Sequence, residues 1–292
     1  MVLRRAALIA AALVAGVAIA PAAAEAAPAV SSYSTTINGD QADVYYPVRK
    51  AEAPVVLVLQ GANVDKSAYS NFASALASYG FVVAVPNHAR SLGPTTGLYP
   101  DALQANWTVS WAVAENARTG SPVKGRIDTG TLLLTGHSFG GAAGLGISTG
   151  LSTPPFTDVP VAAPAELKAA AFYGANYNIP VANIVPVALI QGSADGIGLP
   201  AKGLATYEAL QGRPRLYVSV TGANHYGVTN AQSPAGAIPD ASPQTLAQAT
   251  GTTTIARWTA YWLRAQLGDP VGQAWVNGVG DLVDQNVETR KD

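Results

Sequence analysis

The sequence predicts an α/β fold, a mostly parallel central sheet flanked by helices on both faces. Three observations predict it. Continuous apolar runs of strand length recur at residues 54–59, 81–85, 131–135 and 186–190, as expected of strands buried on both faces. Helical patterns alternate with them along the chain. One of these runs also passes straight into Gly136-His137-Ser138-Phe139-Gly140-Gly141 and then into a small, apolar stretch, residues 141–147. Such a stretch suits a helix lying close on a sheet.

At the start of the chain, Arg4 and Arg5 precede an apolar run over residues 6–20, and Ala24-Glu25-Ala26 follows. A basic segment, a short apolar core and an A-x-A site predict a secretory signal peptide over residues 1–26. The apolar run is too short and too Ala-rich for a membrane span, and no Cys follows it to carry a lipid anchor. Residues 27–292 then read as a single domain, with a core of about residues 33–267 and a tail at 268–292. No Pro/Gly/Ser-rich linker divides it, and no internal repeat is found.

Within that domain, residues 32–46 alternate in polarity around Asn38-Gly39 and predict a hairpin. The strand at 54–59 ends in the turn Gln60-Gly61-Ala62-Asn63. A helix follows, with Asp65 or Ser67 as cap. Tyr69, Phe72, Leu76 and Tyr79 form its apolar stripe, and Gly80 its stop. The strand at 81–85 completes a βαβ unit. Residues 99–118 predict a helix with Trp107 and Trp111 one turn apart. The Pro-containing segment with Pro154, Pro155, Pro160 and Pro164 reads as mostly loop. Strands at 168–173 and 186–190, a helix at 199–210 and a last strand at 215–220 come next. A closing helix at 245–267 sets Ile255, Trp258, Trp262 and Leu263 inward.

Composition excludes several functions. The 17 basic residues less Arg4 and Arg5, and the 18 acidic residues less Glu25, leave 15 against 17. No basic patch offers a nucleic-acid surface. The chain has no Cys and only three His, so there is neither a thiol nucleophile nor a thiolate metal site, and no spacing suited to zinc. No cofactor motif is found, and nothing requires more than a monomer.

The glycine-bracketed Ser138 between a strand and a helix matches a nucleophile elbow, where a strained turn lifts the hydroxyl above the sheet edge. A Ser hydroxyl needs a base in hydrogen-bond reach, and the base needs an acid to hold its tautomer. In that arrangement the chain order is Ser, acid, His. His225 is the one His after Ser138, so it is the candidate base. Between them stand Asp158, Glu166, Asp195 and Glu208. Asp195 alone follows a predicted strand by a few residues, in a Gly-bracketed turn, and active groups of parallel sheets gather at strand carboxyl ends. The backbone N–H groups of Phe139 and Ala62 are the candidate oxyanion donors, with Asn63 a further one. His137 and His88 read as structural. Phe139, Trp107, Trp111, Tyr177 and Tyr226 are candidates for lining a cleft, and packing explains each equally well.

Over about residues 33–267 the chain resembles the α/β-hydrolase fold. The stretch from Leu57 to Tyr69, the step Tyr79-Gly80-Phe81-Val82-Val83 and Gly136-His137-Ser138-Phe139-Gly140-Gly141 resemble its chlorophyllase-like branch. That branch adjoins the dienelactone-hydrolase-like and bacterial polyester hydrolase (cutinase-like) groups. The resemblance implies carboxylic ester hydrolysis without a cofactor, through an acyl-enzyme. Two departures stand out. Gln60 occupies the place where many relatives have His, and the C-terminal disulfide common in polyester-degrading cutinases is absent. The expectation is a secreted serine esterase, its substrate an extracellular lipid, a polyester or a small ester. The alternatives are an acyltransferase with the same three residues, or an inactive hydrolase-fold binding protein.

Overall fold

A computed structural model describes residues 28–177 and 181–292. The predicted signal segment lies outside the described residues. Nine strands form the central sheet. In chain order they are β1 (Val30–Ile37), β2 (Asp40–Pro47), β3 (Ala53–Leu59), β4 (Val82–Pro86), β7 (Ile127–His137), β10 (Leu167–Tyr173), β11 (Val187–Gly192), β12 (Arg215–Val220) and β13 (Val287–Lys291). Two short hairpins lie outside it: β5 (Ala89–Leu92) with β6 (Thr95–Leu98), and β8 (Leu151–Ser152) with β9 (Val161–Ala162).

Across the sheet the order is β1-β2-β4-β3-β7-β10-β11-β12-β13. The six strands from β4 to β12 run parallel, and β1, β2 and β13 add antiparallel pairings at the two edges. Asn38 and Gly39 turn the β1–β2 hairpin with φ of 49° and 90°, the positive values a tight hairpin turn needs.

Side chains on β3 show why its apolar run is continuous. Val56 and Val58 enter one core with Phe72 and Leu76 of α1 (Ser70–Ser78) and Ile255 and Trp258 of α5 (Gln248–Gln266). Val55, Leu57 and Leu59 enter the other. That second core holds Trp111 of α2 (Leu103–Ala117), Leu145 of α3 (Phe139–Ser148) and Tyr207 of α4 (Pro200–Ala209). With period-2 alternation, a strand covered on both sides must be apolar at every position.

Three expectations are corrected. The helix expected from residue 99 begins at Leu103, because Asp101 holds its start: the carboxylate accepts from the Leu103 N–H at 2.8 Å, while Gln104 Oε1 accepts from the Asp101 N–H at 2.9 Å. The β5–β6 hairpin occupies a stretch in which the sequence predicts no element. The strand at 215–220 is not the last. Residues 268–292 form α6 (Pro270–Ala274), a π-helical turn, α7 (Gly280–Val283) and the edge strand β13 against β12. Edge strands are kept polar against aggregation, and Val-Glu-Thr-Arg-Lys carries no apolar pattern to betray it. Asp284 anchors this segment by accepting from Arg257 Nε and Trp258 Nε1, each at 3.0 Å.

Candidate active site

Four strand ends converge on one point. Ser138 follows β7 directly and begins α3, with φ 55° and ψ −121°. Such a conformation is strained for a residue with a Cβ, and it persists only where the surroundings impose it. They do so here through close backbone packing. A Cβ on Gly140 would stand 2.2 Å from the Leu59 carbonyl oxygen, so only glycine lets α3 pass over the end of β3. The Ser138 N–H donates to the Tyr173 carbonyl at 3.0 Å.

The turn after β11 brings in Asp195 and the loop after β12 brings in His225. His225 Nδ1–H donates to the Asp195 carboxylate, 2.9 Å from either oxygen. Nε2 of neutral His225 is therefore the bare nitrogen, and Ser138 Oγ lies 2.8 Å from it. Both His225 and Asp195 are buried. Asp195 also accepts from the N–H groups of Ile197 at 3.0 Å and Gly198 at 2.6 Å, and from Gln191 Nε2 at 2.9 Å. Four donors around one carboxylate satisfy its oxygens and fix its plane. A hydroxyl, an imidazole and a carboxylate in this series can pass the Ser138 proton to His225 while Asp195 stabilises the resulting imidazolium.

Beside Ser138 lies an open cavity of about 370 Å³, lined by Ala62, Phe139, Phe156, Asn176, Ile197 and His225 among others. Ala62 and Phe139 line this cavity, and their N–H groups have no hydrogen-bond partner among the described residues, which leaves both able to donate to an incoming oxygen. The backbone N–H of Asn63 is committed elsewhere. It donates to the Leu98 carbonyl at 2.8 Å, and Asn63 Oδ1 accepts from the Leu98 N–H at 3.1 Å, so Asn63 clamps β6 instead. A larger cavity, about 480 Å³, lies at the start of β12 between Arg215 and Trp262 and contains none of these groups.

His137 is structural, and more connected than its position in the sequence suggests. It is fully buried. Its Nε2–H donates to the His225 carbonyl at 2.9 Å. Its Nδ1 accepts from the Tyr69 hydroxyl at 3.0 Å, and the Tyr69 oxygen accepts from the Gly61 N–H at 2.8 Å. A ladder of neutral hydrogen bonds therefore runs from the Gly61-Ala62 turn to the backbone of His225. Burial, and then the neighbouring His225, hold the His137 pKa well below 6.5, so it stays neutral. Burial also raises Tyr69, and burial with Asp240 and Asp195 holds Tyr226 up at about 12.

The other candidates separate clearly. Of the five aromatic residues named for a cleft, Phe139 lines the cavity at Ser138. Tyr226 packs edge-on to the His225 ring, centroids 5.2 Å apart. Trp111 is buried in the core, and Trp107 packs on His88, which pairs with Asp40 at 2.9 Å. Tyr177 packs on Phe156 with centroids 5.7 Å apart, and Phe156 on Phe139 at 5.5 Å. Sequence reasoning missed Phe156, although it is the one aromatic residue between Phe139 and Phe172. The carboxylates of Asp158 and Glu208 pair with Arg90 and Arg290.

Among the described residues no three His, Asp or Glu side chains are grouped to hold a metal ion, and no helix is long and apolar enough to cross a membrane. No curated protein matches the chain. The family model described as PETase, PET hydrolase-like, matches residues 18–239, a span that includes Ala62, Ser138, Phe139, Asp195 and His225.

Proposed function

We propose that this chain, which belongs to the PET hydrolase-like family, hydrolyses carboxylic esters through an acyl-enzyme on Ser138. The observation that carries the reading is the unbroken series Ser138 Oγ, His225 Nε2, His225 Nδ1 and Asp195, with contacts of 2.8 and 2.9 Å. His225 Nε2 takes the hydroxyl proton as Ser138 Oγ attacks the ester carbonyl. The Ala62 and Phe139 N–H groups meet the oxyanion, a donor of this kind contributing about 3 kcal/mol. The protonated Nε2–H then gives its proton to the leaving alkoxide, and the acyl group stays on Ser138. A water that loses its proton to the same nitrogen attacks the acyl carbon; the bond to Ser138 Oγ then breaks, Nε2–H returns the proton to Oγ, and the acid leaves. Asp195 holds the imidazole and stabilises its positive charge without taking the proton itself.

Residues 27–292 form the mature domain in this account, exported by the leader at 1–26, and its substrates are polyesters or smaller esters met outside the cell. Hydrolysis of short and long p-nitrophenyl esters and of a polyester film tests the reading. Wild type should release product from at least one of them, and Ser138→Ala should release it no faster than buffer. Equal rates in the two proteins would end the proposal. Transfer of the acyl group to an added alcohol in preference to water would reassign the chain as an acyltransferase.

A further inference from the structure

Asp240 lies one residue beyond the span that the family model matches, and no part of the chemistry above uses it. Its loop returns to pack against the two turns that carry the acid and the base. There, Asp240 Oδ2 accepts from the His225 N–H at 2.9 Å and from the Gly196 N–H at 3.2 Å. Oδ1 accepts from the Ser242 N–H at 2.8 Å, which fixes the direction of the carboxylate. One oxygen thus holds the backbone of the base and the residue next to the acid. A charged acceptor makes such bonds stronger than neutral ones.

The geometry points to Asp240 as a positioning residue, a carboxylate clasp that holds the Asp195 turn and the His225 loop in register for proton transfer. This rests on the ester-hydrolase reading of the same site. Other bonds join the two segments further back: Ala194 N–H to the Ala223 carbonyl at 2.9 Å, and Ser193 N–H to the Val220 carbonyl at 3.0 Å. Even the nearer of these stops short of both Asp195 and His225. Asp240 reaches the backbone at the ends of both turns. Gly196 is fitted to it, since a Cβ there would stand 2.4 Å from Asp240 Oδ1. A chain without Cys cannot join these loops by a disulfide, and the carboxylate does so without one.

The test is Asp240→Asn. Its amide offers one acceptor where the carboxylate offered two. If the amide oxygen stays on the Ser242 N–H, the NH2 group opposes the His225 and Gly196 donors. If the amide turns, the NH2 group opposes Ser242. The expected result is a kcat lower by about ten- to hundredfold, with KM within twofold and a melting temperature still above the assay temperature. A second readout needs no turnover: the far-downfield proton signal of His225 Nδ1–H should be shifted or lost. Gly196→Ala strains the same contact from the other side and should give the same kcat and signal changes, which covers failure of the first variant to fold. Folded variants that keep both kcat and the proton signal would overturn the clasp. Loss of the signal in a protein whose wild type cleaves no ester would uphold the clasp and remove the ester-hydrolase reading.

Discussion

Replacing Tyr69 by Phe removes a single oxygen from the ladder between Gly61 and His225. The ring lies in the core with Phe72 and Leu76 and is fully buried, so the substitution keeps the packing and leaves no cavity worth counting. It strips two groups of their partners, the Gly61 N–H at 2.8 Å and His137 Nδ1 at 3.0 Å. Each orphaned buried group costs roughly 1–3 kcal/mol. Burying a ring C–H instead of a hydroxyl recovers part of that, so the net loss should be about 2–4 kcal/mol. Against a total stability of about 5–15 kcal/mol, the effect is easily read from urea midpoints and slopes. Gly61 also precedes Ala62, so kcat should fall, by no more than the roughly hundredfold that one oxyanion donor supplies. His137→Phe should cost less in the Tyr69→Phe background than alone, with a coupling of about 1–2 kcal/mol. A stability loss below about 0.5 kcal/mol with kcat unchanged would refute the ladder.

Three further outcomes follow from the same geometry. The pKa of His137 lies below its unfolded value of 6.5, so the unfolded chain binds the extra proton. The stability it contributes is complete above pH 6.5 and is lost below it, at up to about 1.4 kcal/mol per pH unit. His137→Phe should flatten that slope in denaturation series between about pH 5 and 8, and an unchanged slope would remove His137 as its source. Asp195→Asn should lower kcat by about four orders of magnitude, because its NH2 group meets either the Ile197 and Gly198 donors or Gln191 Nε2. A loss below about tenfold would contradict the role of Asp195. Phe156→Ala opens the wall between Phe139 and Tyr177, and kcat/KM for octanoate relative to acetate esters should rise about tenfold. No change in that ratio would show that Phe156 does not shape the acyl site.

How much of this is legible in the sequence depends on whether the signal is local. Asn38-Gly39 announces its hairpin because those two residues tolerate positive φ. Double-sided burial makes β3 and β4 uniformly apolar, and the elbow glycines declare a close approach of strand and helix. His225 is reached through chain order and the scarcity of His, and Asp195 through its place after a strand. What stays hidden depends on contacts between distant segments. β13 is a polar edge strand with no pattern of its own. Phe156 sits in a proline-rich stretch, and only the fold turns it toward Phe139. Tyr69 fits the apolar stripe leading into α1 so well that nothing marks its hydroxyl as the link to His137. Asn63 looks free in its turn because the β5–β6 hairpin that occupies it gives no strong pattern. Asp240 lies in an irregular loop, and its partners are backbone amides, which sequence cannot distinguish.

The proposed hydrolysis depends on Ser138 acting as a nucleophile activated by His225. Treatment with a fluorophosphonate, followed by peptide mass spectrometry, tests it most directly, because the reagent phosphonylates a serine only when its proton can be taken. The expected result is one adduct per chain, located on Ser138, absent in Ser138→Ala and strongly slowed in His225→Ala. An unlabelled wild-type protein, or an adduct on a different serine, would contradict it.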